Sequence, residues 1–112
     1  VEIAKYLNVE IIVVHVPLLW QLDYVYFLST KLSQISRYYH LPIAVENIGT
    51  TSILGFTLKL HWFTELSSLA RFPSLVFDTS HFGSIGVDIC TAYEFLRSKV
   101  KHIHLSNYNN GR

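Results

Sequence analysis

The chain has 112 residues, half of them hydrophobic and 15% of them charged, with a formal net charge of +1. This length and apolar content suit one globular domain with a substantial core. Lysine and arginine are scattered, so no basic stripe indicates nucleic acid, and no apolar run approaches the roughly 18 residues of a membrane span. The single cysteine, Cys90, excludes an internal disulfide framework and is typical of a reducing compartment, which we expect to be the cytoplasm.

Both ends of the sequence have the pattern of interrupted elements. Residues 1–7 resemble a helix already under way, and 109–112 form a loop with no element after it. The low charge indicates that the chain either buries much of itself or leaves apolar surface for something else to cover. We therefore expect 1–112 to be a single partial domain, truncated at both ends. Its partners would be the remainder of the fold or a second copy, so the isolated residues should dimerise or aggregate.

Short apolar runs alternate with amphipathic helical patterns along the chain. We predict a helix over 1–7 and strands over 10–15, 43–46, 74–78 and 100–105. Between the strands we expect, in order, a helix from Asp23 to Tyr39, a loop over 47–57, a helix that begins near Thr57 and carries Trp62, Phe63, Leu66 and Leu69, a loop over 79–87, and a helix capped by Asp88.

This alternation is typical of an α/β protein built from right-handed, parallel (β/α) units. The sheet is then either a small open one or about half of an eight-stranded TIM (β/α)8 barrel. The sequence does not favour a dinucleotide-binding fold, because no Gly-x-Gly-x-x-Gly turn, the usual motif of that fold, follows the first predicted strand.

Each predicted strand ends in or near a side chain that can bind a metal or transfer a proton. These residues are His15, Glu46, Asp78 and His104. The carboxyl ends of parallel strands lie on one side of a sheet, and in a barrel they ring the mouth where active sites are found. Since an unpaired buried carboxylate is costly, a divalent cation (Mn, Mg, Co, Zn or Fe) explains the convergence best.

Each of these residues also has a structural interpretation. A carboxylate that closes a strand is commonly a helix cap or a loop anchor, and Asp78 could hold the backbone of residues 79–80. A lone histidine such as His15 is more often a core or loop residue. His40 and His61 lie in or beside predicted helices, and we interpret both as structural. Taken together, the four strand-end residues favour a site.

Three motifs resemble those of a known family: Val45–Gly49 (VENIG), Phe77–His81 (FDTSH) and His102–Asn107 (HIHLSN). In this order, with one motif per βα unit, they are similar to the xylose isomerase-like TIM barrel superfamily. That group contains sugar and sugar-phosphate isomerases and epimerases, and also DNA-repair enzymes of the endonuclease IV type. The resemblance covers nearly the whole chain and implies a metal-dependent enzyme that transfers a proton next to the carbonyl of a sugar or sugar phosphate.

The resemblance implies a ligand set for the metal. Glu46 matches the glutamate of the family's Glu-Asn motif, a ligand that also serves as an acid or base in the epimerases. Asp78 matches the second carboxylate ligand, and His104 matches the histidine ligand on the next strand. We therefore predict that Glu46, Asp78 and His104 bind the cation and that Glu46 is also catalytic.

The resemblance also implies contacts with substrate. His81 matches the histidine of an Asp-x-x-His motif, which contacts substrate in the epimerases and binds an additional metal in the endonucleases. His15 matches a histidine at the end of an earlier strand, a metal ligand in the endonucleases. Arg112 lies where a loop arginine of the epimerases reaches substrate. We predict that His15, His81 and Arg112 contact substrate and that His81 takes part in catalysis.

The sequence departs from the family pattern in three places. It stops before the strand that carries the fourth ligand, a glutamate. The usual His-Pro-Gly after the early strand is His15-Val16-Pro17, and the loop after His104 lacks the Asp-x-His ligands of the endonuclease. The last departure favours the sugar branch. The alternatives are an endonuclease IV-like hydrolase acting on abasic DNA and a non-catalytic or truncated family member.

Overall fold

A computed structural model describes residues 1–107 of the chain. The elements within this range are α1 (Glu2–Tyr6), β1 (Ile12–His15), α2 (Leu22–Thr30), α3 (Leu32–Tyr39), β2 (Ile43–Glu46), β3 (Thr51–Ile53), β4 (Phe56–Leu58), α4 (Leu66–Leu69), β5 (Leu75–Asp78), α5 (Thr79–Ser84), α6 (Ile89–Leu96) and β6 (Val100–His104). Among these helices, none has the length and apolar character needed to cross a membrane.

Four of the strands form an all-parallel sheet in the order β1-β2-β5-β6. The strands follow one another across the sheet in chain order, and β3 and β4 form a separate antiparallel hairpin between β2 and β5. Helices connect the parallel strands, as parallel pairing requires. The predicted α/β architecture with a parallel sheet is therefore confirmed.

The main core lies between one face of this sheet and the helices. The strand residues on this face are Ile43, Val45, Leu75 and Phe77, and the helices contribute Leu28, Leu32, Leu69, Phe82, Ala92 and Leu96. These helix residues belong to α2 through α6, so all five helices pack on the same face. Because neighbouring residues of a strand point to opposite faces, Glu46 and Asp78 project from the other face.

The predicted helix from Asp23 to Tyr39 is two helices, and that prediction is wrong in its continuity. The break lies at Lys31, which ends α2 and begins α3. Just before it, the Thr30 hydroxyl donates to the Tyr26 carbonyl at 2.7 Å, a local bond that bends helices. The buried stripe continues across the break, because Leu28 and Leu32 are both buried.

The helix predicted to begin near Thr57 is wrong over most of its length, because only Leu66–Leu69 is helical. The predicted loop over 47–57 is also wrong in part, because it contains β3 and most of β4, a hairpin that turns at Leu54 (φ +51°) and Gly55 (φ +81°). Positive φ at both central residues is the requirement of the tight hairpin turn that matches strand twist. Phe63, at φ +55°, also interrupts any helix before α4.

The predicted loop over 79–87 is also wrong in part, since Thr79–Ser84 forms α5. The Asp78 carboxylate caps this helix by accepting a hydrogen bond from the His81 backbone N–H at 3.0 Å. The predicted cap at Asp88 is confirmed, because its carboxylate accepts from the Thr91 N–H at 2.7 Å. An aspartate therefore starts each of the last two helices of the described chain.

Candidate metal centre

The parallel register brings four predicted residues to one edge of the sheet. His15 lies opposite Glu46 in the β1–β2 pair, and Asp78 lies opposite His104 in the β5–β6 pair. The four side chains project from the face opposite the helices, because each follows a helix-facing residue along its strand. His102 and His104 project to the same side as predicted, with ring centroids 5.1 Å apart.

Glu46 is buried, and each of its carboxylate oxygens contacts a different histidine. His15 Nε2 lies 2.9 Å from Oε2, and His104 Nδ1 lies 2.8 Å from Oε1. The carboxylate side chain is 5% exposed, whereas the side chains of His15 and His104 are 64% and 42% exposed. The two imidazoles therefore lie between Glu46 and solvent, and they fix the orientation of its carboxylate plane.

The two carboxylate oxygens of Asp78 have different partners. Oδ1 accepts from the Ser80 hydroxyl at 2.7 Å and from the His81 N–H at 3.0 Å, which is the capping role. Oδ2 lies 3.7 Å from His81 Nδ1 and 3.8 Å from His104 Nδ1, beyond hydrogen-bonding distance. The structural interpretation of Asp78 as a cap thus holds for one oxygen, and the other remains open to a cation.

Asp78 is ionised at neutral pH. Burial acts to raise its pKa, but the hydrogen bonds from Ser80 and His81 and the electrostatic interaction with the His81 side chain outweigh it. The net result is a pKa below the usual value of 3.8 for an aspartate. An ionised carboxylate that is buried is stabilised by a positive partner. The ionised form is also the form in which a carboxylate binds a metal.

Asn47, to which we assigned no role from the sequence, positions both Asp78 and His81. Its side-chain Oδ1 accepts from the Asp78 N–H at 2.7 Å, and its Nδ2 donates to the Asp78 carbonyl at 3.0 Å. Its own carbonyl accepts from His81 Nδ1 at 2.7 Å. Since Nδ1 donates there, only the Nε2 lone pair of His81 is free for substrate or metal. The sequence feature that could have indicated this role is the position of Asn47 directly after a strand-end carboxylate.

The donor set fits a divalent cation. Glu46, Asp78 and His81 each place a ligand atom within 4.8 Å of the others. Over residues 1–107, the ion pairs of the two carboxylates involve histidines and neither lysine nor arginine. Carboxylate oxygen and imidazole nitrogen are ligands that Mn, Zn, Co and Mg accept, and a cation would relieve the repulsion between the two buried charges.

The predicted ligands and substrate contacts are thus arranged around the same carboxylates. Glu46 and Asp78 belong to the group just described, and His104 Nδ1 lies 2.8 Å from one and 3.8 Å from the other. His81, predicted to contact substrate, also places a ligand atom within 4.8 Å of ligand atoms of both carboxylates. His15 contacts Glu46 directly. The predicted contact at Arg112 falls outside the described residues.

His61, interpreted from the sequence as structural, lies next to the centre. It lines a cavity of about 340 Å³ together with His81. No sequence signal indicated this position, because His61 is held by an isolated bridge to Leu18, far earlier in the chain. His40 lies elsewhere, at the end of α3 with φ +52°.

Replacing Asn47 with alanine should lower the free energy of unfolding by about 2–4 kcal/mol, because the buried N–H and carbonyl of Asp78 lose their partners. Urea denaturation in metal-free buffer measures the change. Asn107→Ala, at an exposed position, is the control and should stay within about 0.5 kcal/mol of the wild type. Equal stability of the two variants would show that the hydrogen bonds from Asn47 to the Asp78 backbone do not stabilise the fold.

Comparisons with protein-family models, with curated proteins and with solved structures found no match to the chain. Its function is therefore inferred from its sequence motifs and from the contacts of Glu46, Asp78 and their neighbours.

Proposed function

We propose that the chain carries a metal-dependent site of a sugar or sugar-phosphate isomerase or epimerase. The observation that carries the proposal is the pair of buried carboxylates, Glu46 and Asp78, surrounded by histidines at one sheet edge. Glu46, Asp78 and His104 would hold the cation, with Mn, Mg, Co or Zn as candidates. The motif resemblance to the xylose isomerase-like superfamily supports the same choice of residues.

We further propose that the sheet is about half of a TIM (β/α)8 barrel. Two features support this: the strands follow chain order across the sheet, and α2 through α6 pack on one face. An open doubly wound sheet would carry helices on both faces. β1 and β6 are the outer strands of the described sheet, so the remainder of a barrel or a second copy would pair there. A cytoplasmic location is part of the proposal.

The proposed chemistry is proton transfer beside a carbonyl. A divalent cation held by Glu46, Asp78 and His104 would supply Lewis acidity at the carbonyl and the adjacent hydroxyl of the substrate, and the neighbouring C–H would then be more acidic. Glu46 is the base that this chain supplies, and His15 and His104 hold its carboxylate in place. In isomerisation a proton returns to the neighbouring carbon. In epimerisation a second acid, which the resemblance assigns to the glutamate of a later strand, would deliver a proton to the opposite face of the same carbon.

His81 would orient a substrate hydroxyl through Nε2. Its ring is fixed by the Nδ1–H bond to the Asn47 carbonyl and by the start of α5 at Asp78. A positioned imidazole of this kind lowers the entropy lost when substrate is aligned. His15 and Arg112 remain predicted substrate contacts in this scheme.

A second candidate is the endonuclease IV-like hydrolysis of a phosphodiester at abasic DNA. One observation favours it: His15 and His81, which match metal ligands in that branch, both lie against the buried carboxylates. That chemistry requires several metal ions, so the number of metal ions bound per chain distinguishes the hydrolase from the isomerase or epimerase. Three bound zinc ions would contradict the isomerase proposal, whereas a single bound cation agrees with it.

Asp78→Asn should weaken Mn²⁺ binding by about 100-fold or more, because it removes a charged ligand. The fold should persist, since an asparagine oxygen can still accept the capping bond. Equilibrium dialysis measures the affinity and circular dichroism checks the fold. Asp88→Asn, which alters the cap of α6 away from the centre, should bind Mn²⁺ like the wild type. Unchanged affinity of Asp78→Asn would exclude Asp78 from the site.

The reaction itself predicts exchange of solvent deuterium into the C–H next to a sugar carbonyl. With Mn²⁺ present, the wild type should catalyse this exchange on a panel of ketoses and their phosphates, followed by NMR. Glu46→Gln should lose at least about 100-fold of the rate, in the range of general-base contributions. Exchange that persists in Glu46→Gln would show that Glu46 is not the base.

A further inference from the structure

A cavity of about 340 Å³ lies beside the proposed metal centre, within the size range of small-molecule sites. Its wall is formed by Ile48, Gly49, Thr50, His61, Ser80, His81 and Ser84. In the described part of the chain, no lysine, arginine, aspartate or glutamate lines it. The wall therefore offers hydroxyls, imidazoles and backbone groups, with no basic side chain to bind an anion.

Hydrogen bonds and close packing hold one side of this cavity in place. The Ser84 hydroxyl donates to the His81 carbonyl at 2.7 Å and accepts from the Thr50 N–H at 3.4 Å. Gly49 lies so near that a Cβ atom there would be 2.2 Å from Ser84 Oγ. The loop after β2 therefore packs closely against α5, and a side chain at position 49 would require Ser84 to move.

The opposite side is formed by His61, whose backbone is held by the segment that follows His15. His61 forms an isolated antiparallel bridge with Leu18. On either side of it, the Trp62 N–H donates to the Pro17 carbonyl at 2.9 Å, and the Leu19 N–H donates to the Leu60 carbonyl at 2.9 Å. These bonds fix the position from which the His61 ring reaches the cavity.

The His61 ring has hydrogen-bonding capacity that the described residues do not use. Its Nδ1 atom is buried and has no hydrogen-bond partner within residues 1–107. Burial, followed by electrostatic interaction with the nearby His15 and His81, lowers the pKa of His61 below its usual value of 6.5. A neutral imidazole donates at one nitrogen and accepts at the other, which matches a hydroxyl group. A phosphate is instead bound by charged donors such as arginine or lysine.

We propose that this cavity binds the neutral, hydroxylated part of the substrate and that His61 is a specificity-determining residue for it. This inference rests on the proposed function and narrows it to an unphosphorylated sugar at this end of the site.

The test is a binding measurement that does not depend on turnover. NMR titration of the Mg²⁺-loaded chain would compare neutral ketoses and aldoses with their phosphate esters. We expect neutral sugars to bind at least as tightly as their esters. His61→Ala should weaken sugar binding by about threefold to tenfold, the range for one neutral hydrogen bond. His61→Gln, whose amide also donates and accepts, should recover part of the loss.

Two controls separate this inference from the proposed function. Divalent-metal affinity should be unchanged in His61→Ala, and His40→Ala, at the end of α3, should leave both sugar and metal binding unchanged. Tighter binding of the phosphate esters, or wild-type sugar affinity in both His61 variants, would overturn the inference alone. Failure of the wild type to bind a divalent metal, or failure of the metal-loaded chain to bind any sugar or ester, would overturn the proposed function and the inference with it.

Discussion

The burial of two negative charges at neighbouring strand ends constrains the rest of this structure. Glu46 and Asp78 are 3% and 7% exposed, so neither keeps its full hydration. The protein compensates with one imidazole on each oxygen of Glu46 and with two hydrogen bonds on Oδ1 of Asp78. Within residues 1–107, Oδ2 of Asp78 has no hydrogen bond of this kind. That oxygen, between two histidines, is where added positive charge would stabilise the arrangement most.

The hydrogen bonds that hold the strand ends together also position the proposed metal ligands. The cap that starts α5 uses Asp78, and the side chain of Asn47 bonds the Asp78 backbone on the neighbouring strand end. The Thr79 hydroxyl continues the connection to β6, donating to the Ser106 carbonyl at 2.6 Å and accepting from the Ser106 N–H at 3.0 Å. Three successive strand ends are therefore held by hydrogen bonds to backbone groups. Proposed ligands on such rigid elements keep their geometry when substrate changes the local charge.

The parallel sheet and its polar strand ends could be predicted because buried parallel strands are continuous apolar runs, so the residue that ends each run stands out. Glu46 and Asp78 were identified in this way. The position of His61 could not be predicted, since it depends on an isolated bridge to Leu18, far earlier in the chain, and local periodicity carries no information about such a contact. The role of Asn47 depends on contacts with residues 31 or more positions away, for which local periodicity carries no information.

The central claim is that Glu46 and Asp78 bind one divalent cation. Its most direct test is a crystal structure of the protein grown with Mn²⁺, with data collected to show anomalous scattering from manganese. The account predicts one anomalous peak at coordination distance, about 2.0–2.3 Å, from Asp78 Oδ2 and a carboxylate oxygen of Glu46. No peak there, with both histidines still bonded to Glu46 as in the metal-free arrangement, would contradict the account.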